Sequence, residues 1–286
     1  MYLINLQEFN PLYLKFLHYH CRNEKIRHFN GVQGFNKINL MRKAAQGRST
    51  NLFSLAVLFT VILLGMDFAV TFLLSDQQQK IVYSDVISPV FDLLASAVLF
   101  IAAKQSATHS RRLALAWGMI ALSTFAYALG DIAWGILEVG LQEQPFPSSA
   151  DAFYLAYYPI LLLGVFLLPD KPASRGEKII NVLDVGIVMA AAILVFWNFL
   201  LGPIVSASPG SDSLELAILL GYPVGDLVLL WALLRIIYKR PDQQDEVPAF
   251  LLAASIIVTI ISDCIYTYQS LLGTYVSGGI LDIGWR

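Results

Sequence analysis

Six aspartates lie within or at the ends of apolar segments of membrane length, in two sets with nearly equal spacing. They are Asp92, Asp131 and Asp151 in the first half and Asp226, Asp263 and Asp282 in the second. The intervals are 39 and 20 residues in the first set and 37 and 19 residues in the second. A carboxylate at the centre of a membrane helix costs about 2.5–3.5 kcal/mol on insertion scales, so a duplicated set of them predicts a functional site.

The residues next to these aspartates repeat as well. A proline precedes both Asp92 and Asp226 by three residues, and an aromatic residue follows both Asp131 and Asp263 by three. The matching segments run in the same direction across the membrane, which predicts a parallel duplication of a four-span unit. We expect a basic cytoplasmic tail over residues 1–50, the first four-helix repeat over 51–170 and the second repeat over 171–286. The alternative for the tail is an over-extended start, because Met41 with two basic residues after it is typical of a natural start.

The composition is typical of a membrane protein. Hydrophobic residues make up 57% of the chain and charged residues 14%, and the mean hydropathy is +0.62. A segment needs about 20 residues to cross the ~30 Å hydrocarbon core. Seven segments meet this length, near 52–75, 86–103, 113–138, 150–169, 179–205, 214–238 and 248–272, and an eighth begins near Ile280. The expected fold is an all-α integral membrane bundle of 4+4 helices that is truncated within helix eight.

Basic residues alternate from one side of the membrane to the other. Eight Lys or Arg residues precede the first span, and three more follow each of spans two, four and six. The connections on the opposite side contain one basic residue, Lys80. By the positive-inside rule, this asymmetry predicts a multi-pass protein of the cell membrane with a cytoplasmic N-terminus.

Aromatic residues share helix faces with the aspartates. They follow or precede an aspartate by three, four or seven residues, and residues at these intervals lie on one side of a helix. The topology places the aspartates in the outer half or the centre of the membrane. We therefore predict an outward-facing pocket that binds a ligand or protons. Its expected residues are Asp92, Asp131, Trp134, Asp151, Tyr154, Tyr158, Tyr222, Asp226, Asp263, Tyr266 and Asp282.

Simpler interpretations exist for each of these residues. Asp151 follows Ser148, so it fits the capped first turn of a helix, and Asp282 after two glycines fits the same role. The tyrosines over 154–158 fit an interfacial aromatic belt. The other aspartates fit structural hydrogen bonds between helices.

The sequence contains no pattern typical of catalysis or metal binding. None of the four histidines lies in a span, which disfavours a haem or zinc held by histidine within the membrane. A Gly-x-Ser-x-Gly elbow and a phosphate-binding glycine loop are both absent. We expect no catalytic residue, no metal ligand, no cofactor and no nucleic-acid partner, and the bilayer as the principal surroundings.

The segment over residues 130–159 is distinctive. It contains GDIAW at 130–134 and PFPSSADAFYLAYYP at 145–159. Over residues 85–286 the chain resembles the multi-span N-terminal membrane sensor region of prokaryotic signalling proteins, in which PAS, histidine-kinase or diguanylate-cyclase domains follow. The resemblance implies a sensory role without naming a ligand. It also implies a cytoplasmic output domain, which the sequence up to Arg286 lacks, so output is expected from a partner, a homodimer partner or a missing domain.

A small proton- or cation-coupled transporter or channel is the alternative hypothesis. Duplicated bundles with carboxylates near the midplane are features of such carriers. A carrier also needs polar residues through to the inner side, where Asp184 is the one candidate. An intramembrane enzyme is a third hypothesis, because paired aspartates suit acid–base chemistry, but no substrate is indicated.

Overall fold

The computed structural model describes residues 58–108, 110–169, 174–208, 212–238 and 246–285. Residues Leu64–Arg286 form one compact unit. A second unit, Met1–Leu63, contributes only residues 58–63 to the described part of the chain. The basic tail predicted over residues 1–50 therefore lies outside the described residues.

Seven helices follow one another along the described residues, which contain no strand. They are α1 (Leu58–Leu73), α2 (Gln77–Ser106), α3 (Arg111–Leu141), α4 (Ser149–Leu167), α5 (Arg175–Ala207), α6 (Ser213–Tyr238) and α7 (Glu246–Leu271). Two segments are π-helical: Ile136–Leu141, which ends α3, and Trp197–Leu201 within α5. A 3₁₀ helix, Ile280–Trp285, follows α7.

Helices α2 to α7 are each long and apolar enough to cross a membrane. Large apolar side chains cover their outer faces, as at Val182, Phe199 and Phe250, which are 72%, 71% and 71% exposed. Exposed apolar surface of this extent is stable in lipid and not in water. The chain is therefore a multi-pass membrane protein.

Helix α2 begins earlier than the apolar segment predicted near 86–103. Residues 76–85 were expected to form a connection, but α2 begins at Gln77. The helix starts there because the Asp76 side chain caps it by accepting a hydrogen bond from the Gln78 amide at 3.3 Å. Hydropathy does not detect the first turn of α2, because residues 77–80 are polar.

Serine caps begin three further helices. The Ser110 side chain accepts from the Leu113 amide at the start of α3. Ser148 and Ser174 form capping boxes at the starts of α4 and α5 with an acidic residue three positions later. The N-terminal amides of these helices thus gain partners that the helix itself cannot supply.

Small residues bring α3 close to its neighbours α2 and α4. Ala116, Ala121 and Ala128 have no exposed surface. The Ser96 hydroxyl of α2 donates to the Ala121 carbonyl oxygen at 3.0 Å. Membrane helices associate in this way because close backbone contact replaces the hydrophobic driving force that lipid removes.

Apolar side chains fill one half of the bundle. They come from the N-terminal halves of α3 and α7 and from the C-terminal halves of α4 and α6. The core of this half contains Ile120, Leu161, Val165, Leu229, Leu233, Ile236 and Ile256. The polar site described below lies in the other half.

The substitution Gly164→Ala should destabilise the bundle. An added Cβ would lie 2.7 Å from Cγ1 of Ile120 and 3.2 Å from the carbonyl oxygen of Ala116, so α3 and α4 would have to separate. Overpacking of this kind typically costs about 1–3 kcal/mol. The measurement is the free energy of unfolding in mixed micelles.

Gly186→Ala is the matched control for this prediction. A Cβ at Gly186 of α5 meets no atom within 4 Å, so this variant should be as stable as the parent or slightly more stable. Equal free energies of unfolding for the two variants would contradict the close approach of α3 and α4.

Candidate functional site

A pocket lies in the half of the bundle opposite the apolar core. The N-terminal halves of α2 and α6, the first ten residues of α4, the C-terminal halves of α3 and α7, and residues 275–285 all contribute to it. Its cavity volume is about 110 Å³. One water molecule needs roughly 10–15 Å³ of such space, so the pocket has room for several waters or one small ligand.

Eight of the eleven residues expected at the site line this pocket. They are Asp131, Trp134, Tyr154, Tyr158, Tyr222, Asp263, Tyr266 and Asp282. The remaining three, Asp92, Asp151 and Asp226, are buried and interact with lining residues instead. Their role in ligand or proton binding stays a prediction.

Asp131 and Tyr154 join α3 to α4. The Tyr154 hydroxyl donates to Oδ1 of Asp131 at 2.8 Å. Gly130 makes this contact possible, because a Cβ at that position would lie 2.5–2.6 Å from the Tyr154 ring. The glycine before the aspartate therefore lets the tyrosine ring lie against the backbone of α3.

Asp263 of α7 receives hydrogen bonds on both carboxylate oxygens. Trp285 donates its indole N–H to Oδ1 at 2.7 Å, and the Tyr158 hydroxyl donates to Oδ2 at 3.2 Å. A glycine again lies under the tyrosine, because a Cβ on Gly225 would be 2.6 Å from the Tyr158 ring. This carboxylate therefore ties together α4, α7 and the 3₁₀ helix.

Asp226 lies next to Asp263 and has no exposed surface. Among the described residues, no nitrogen or hydroxyl donates a hydrogen bond to either of its carboxylate oxygens. Its charge interacts with that of the neighbouring Asp263. A buried carboxyl group that no donor reaches is costly in lipid.

Asp151 has the capping role that was expected as its simpler interpretation. Its Oδ2 accepts from the Ser148 amide at 2.7 Å, and the Ser148 hydroxyl oxygen accepts from the Ala150 amide at 3.1 Å. The same carboxylate also accepts a hydrogen bond from the Tyr222 hydroxyl through Oδ1. Asp151 thus caps α4 and at the same time holds a lining residue of α6.

Asp282 organises the segment that follows α7. It accepts from the Gly278 amide at 2.7 Å and from the hydroxyls of Ser84 and Tyr275 at 3.1 Å each. Gly278 has φ +78°, a conformation that L-residues with a side chain rarely adopt. Burial raises the pKa of the Tyr275 hydroxyl, and the charge of Asp282 acts in the same direction, so Tyr275 stays protonated and donates.

Glu138 links the end of α3 to the same segment. Its Oε2 accepts from the Trp134 indole N–H at 2.5 Å and from the Ser277 hydroxyl at 3.2 Å. The Gln77 side chain of α2 donates to the Ser277 carbonyl oxygen at 2.6 Å. The segment after α7 is therefore fastened to both α2 and α3.

Seven lining residues were not expected from the sequence. They are Ser84, Asp85, Ser88, Tyr127, Tyr275, Ser277 and Trp285. Helical spacing could have identified two of them, because Tyr127 precedes Asp131 by four residues and Asp85 precedes Asp92 by seven, which places each pair on one helix face. Helical spacing could not identify Tyr275 or Ser277, because residues 275–277 are not helical.

The site provides hydrogen-bond acceptors and aromatic faces. Among the described residues, no group of three or more His, Cys, Asp or Glu side chains is placed to hold a metal ion. Ring pairs enclose the cavity, such as Tyr127 and Tyr154 with centroids 4.9 Å apart and Tyr266 and Trp285 with centroids 5.7 Å apart. Such a pocket suits binding by charge and ring contact.

Comparison with known proteins yields no relative, since no protein-family model, curated protein or solved structure matches the chain. The function must therefore be inferred from the geometry of the site.

Tyr158→Phe should destabilise the bundle because Asp263 loses one of its two donors. Tyr158 is 5% exposed, and removal of a partner from a buried polar group costs about 1–3 kcal/mol. The measurement is again the free energy of unfolding in mixed micelles. The control is Tyr268→Phe, which removes the same atom from a residue of α7 that is 59% exposed. If the two variants lose the same free energy, the hydroxyl of Tyr158 contributes nothing through Asp263.

Proposed function

We propose that the chain is the membrane-embedded sensory module of a signal-transduction protein, which detects a small ligand in the aromatic–carboxylate pocket. One observation carries the proposal: the polar pocket occupies one half of the bundle and a close-packed apolar core occupies the other half. A ligand can bind in such a bundle without crossing it. It acts by favouring one helix packing over another.

The charge distribution supports an outward-facing pocket. Basic residues concentrate at the helix ends opposite the pocket, namely Lys104, Arg111, Arg112, Arg175, Lys178 and Arg235. By the positive-inside rule these ends face the cytoplasm of a cell membrane, and the N-terminus lies on the same side. The pocket then faces the exterior, where a receptor meets its stimulus.

The hydrogen bonds support the proposed duplication. Tyr154 follows Asp151 by three residues and donates to Asp131, and Trp285 follows Asp282 by three and donates to Asp263. Trp285 thus has the same relation to the second half that Tyr154 has to the first. This agreement favours a 4+4 arrangement in which α1 is the first of seven spans and Ile280–Trp285 begins an eighth.

The resemblance to prokaryotic sensor regions suggests the output. In such proteins a histidine kinase, a PAS domain or a diguanylate cyclase follows the membrane region. We propose that a domain of this kind, in the same protein, in a partner or in a homodimer partner, receives the change in helix packing.

A chimaeric receptor tests the sensory role. Residues 1–286 are joined through one designed transmembrane helix to a cytoplasmic diguanylate-cyclase reporter. Asp131→Asn and Asp263→Asn should each change the cyclase output severalfold, because the coupling free energy between two sites of such a switch is typically about 1–3 kcal/mol. Asp184→Asn is the control, because Asp184 does not line the pocket. Unchanged output from both pocket variants at normal membrane levels would refute the sensory role.

The carrier hypothesis retains one supporting observation, the buried carboxyl groups of Asp226 and Asp263, which resemble a proton-binding pair. The core around Leu229, Leu233 and Ile256 opposes it, because a transported ion would have to cross this apolar half. We therefore expect proteoliposomes that contain the chain to show no flux above protein-free liposomes under a proton or sodium gradient. A flux that Asp263→Asn abolishes would make the chain a carrier.

A further inference from the structure

The charges around the pocket all have one sign. Four lining residues are acidic, namely Asp85, Asp131, Asp263 and Asp282, and no Lys or Arg is among the lining residues that the structure describes. An anionic ligand would face repulsion with no basic partner to offset it, which disfavours carboxylates, phosphates and nucleotides.

The hydrogen-bond donors of the wall point at its own acceptors. Tyr154 donates to Asp131, Trp285 donates to Asp263, and Tyr275 donates to Asp282. A carboxylate has about four acceptor positions, and Asp263 accepts two hydrogen bonds, so it retains capacity to accept from a ligand. The pocket is rich in acceptors and has few donors left to offer, which favours a ligand that brings its own donors.

Aromatic rings form most of the remaining wall. Eight of the fifteen lining residues are Tyr or Trp. The faces of such rings attract a cation, most strongly when water is excluded. Rings combined with carboxylates are the usual protein solution for binding an organic ammonium group, because the rings contact its apolar surface and the carboxylates accept its N–H donors.

A second acidic residue, Asp226, lies behind Asp263, the carboxylate of α7 that lines the pocket. Asp226 is fully buried, no donor in the described part of the chain reaches its oxygens, and its charge acts on that of Asp263. A cation at Asp263 would offset the repulsion between these two carboxylates.

The size of the cavity limits the ligand. The volume of about 110 Å³ is below the roughly 300–1,000 Å³ of pockets for drug-sized molecules. The described residues contain no group of three or more His, Cys, Asp or Glu side chains placed around a metal ion, which disfavours a metal held mainly by protein ligands. A compact organic cation satisfies both limits.

We propose that the pocket binds a small organic ammonium ion, with its charged nitrogen between Asp131 and Asp263 and its carbon atoms against the surrounding rings. This assignment rests on the proposed sensory function, because it names the class of ligand that the sensor detects.

The test measures binding to the purified full chain in nanodiscs of zwitterionic lipid. The probes are propylammonium, propanol and propionate, which have similar size and differ in charge. Titration calorimetry gives the affinity, and quenching of tryptophan fluorescence reports occupancy near Trp134 and Trp285. Protein-free nanodiscs correct for partition into lipid. Propylammonium should bind saturably, whereas propanol and propionate should not.

Three variants locate the binding site. Asp263→Asn should weaken propylammonium binding roughly ten- to hundredfold, which is the usual effect of losing a charged hydrogen-bond partner. Asp131→Asn should weaken propylammonium binding to a similar extent. If the Asp263→Asn protein does not fold, Asp131→Asn alone provides the test. Asp184→Asn should bind like the parent chain.

The possible outcomes distinguish a failure of the proposed ligand class from a failure of the proposed sensory function. Propylammonium binding that both pocket variants leave unchanged, or no binding at all, would overturn the assignment of an organic cation. Preferential binding of propionate or propanol, weakened by Asp131→Asn, would also overturn it and would leave the sensory function intact. The sensory function fails separately, through unchanged output of the cyclase chimaera.

Discussion

A carboxylate inside a membrane needs hydrogen-bond donors, and this requirement determines most of the structure around the pocket. Lipid offers no donors, so neighbouring segments of the protein supply them. Tyr154 and Tyr158 supply them from α4, and Trp285 supplies one from the segment after α7. Each tyrosine reaches its aspartate across a glycine, Gly130 or Gly225. The same hydrogen bonds that make the acidic groups tolerable therefore hold the helices in place.

The bundle combines two kinds of packing with opposite consequences. In the apolar half, small residues such as Gly164 allow close contact, and the interactions there are numerous, weak and non-directional. In the polar half, a few directional bonds to Asp263 and Asp282 hold the ends of the helices and the following segment. A change of charge in the polar half alters few contacts but strong ones.

Hydropathy predicted the existence and order of the long helices, because apolar length is the dominant signal in a membrane protein. Helical spacing predicted which residues would meet at the pocket, since it assigns side chains to faces. Asp92 shares a face with pocket residues but is itself buried and does not line the cavity, because spacing does not say which neighbour covers a face. Helical spacing also missed Tyr275, because the contacts of that residue depend on the turn at Gly278 and not on a helical repeat. The polar start of α2 was missed because its cap, Asp76, belongs to no apolar pattern.

Helix α5 differs from its neighbours because very little of it is buried. Val182 and Ile187 are 72% and 69% exposed, and Phe196 is the one buried residue between Arg175 and Phe196. Lipid tails constrain a side chain far less than a protein neighbour does, because any apolar shape fits a fluid. Selection on this helix therefore acts on its hydrophobicity and its length, and hardly on which apolar residue occupies each position. Over evolutionary time α5 should exchange Ile, Val, Leu and Phe freely while the glycines and aspartates of α3, α4 and α6 stay fixed.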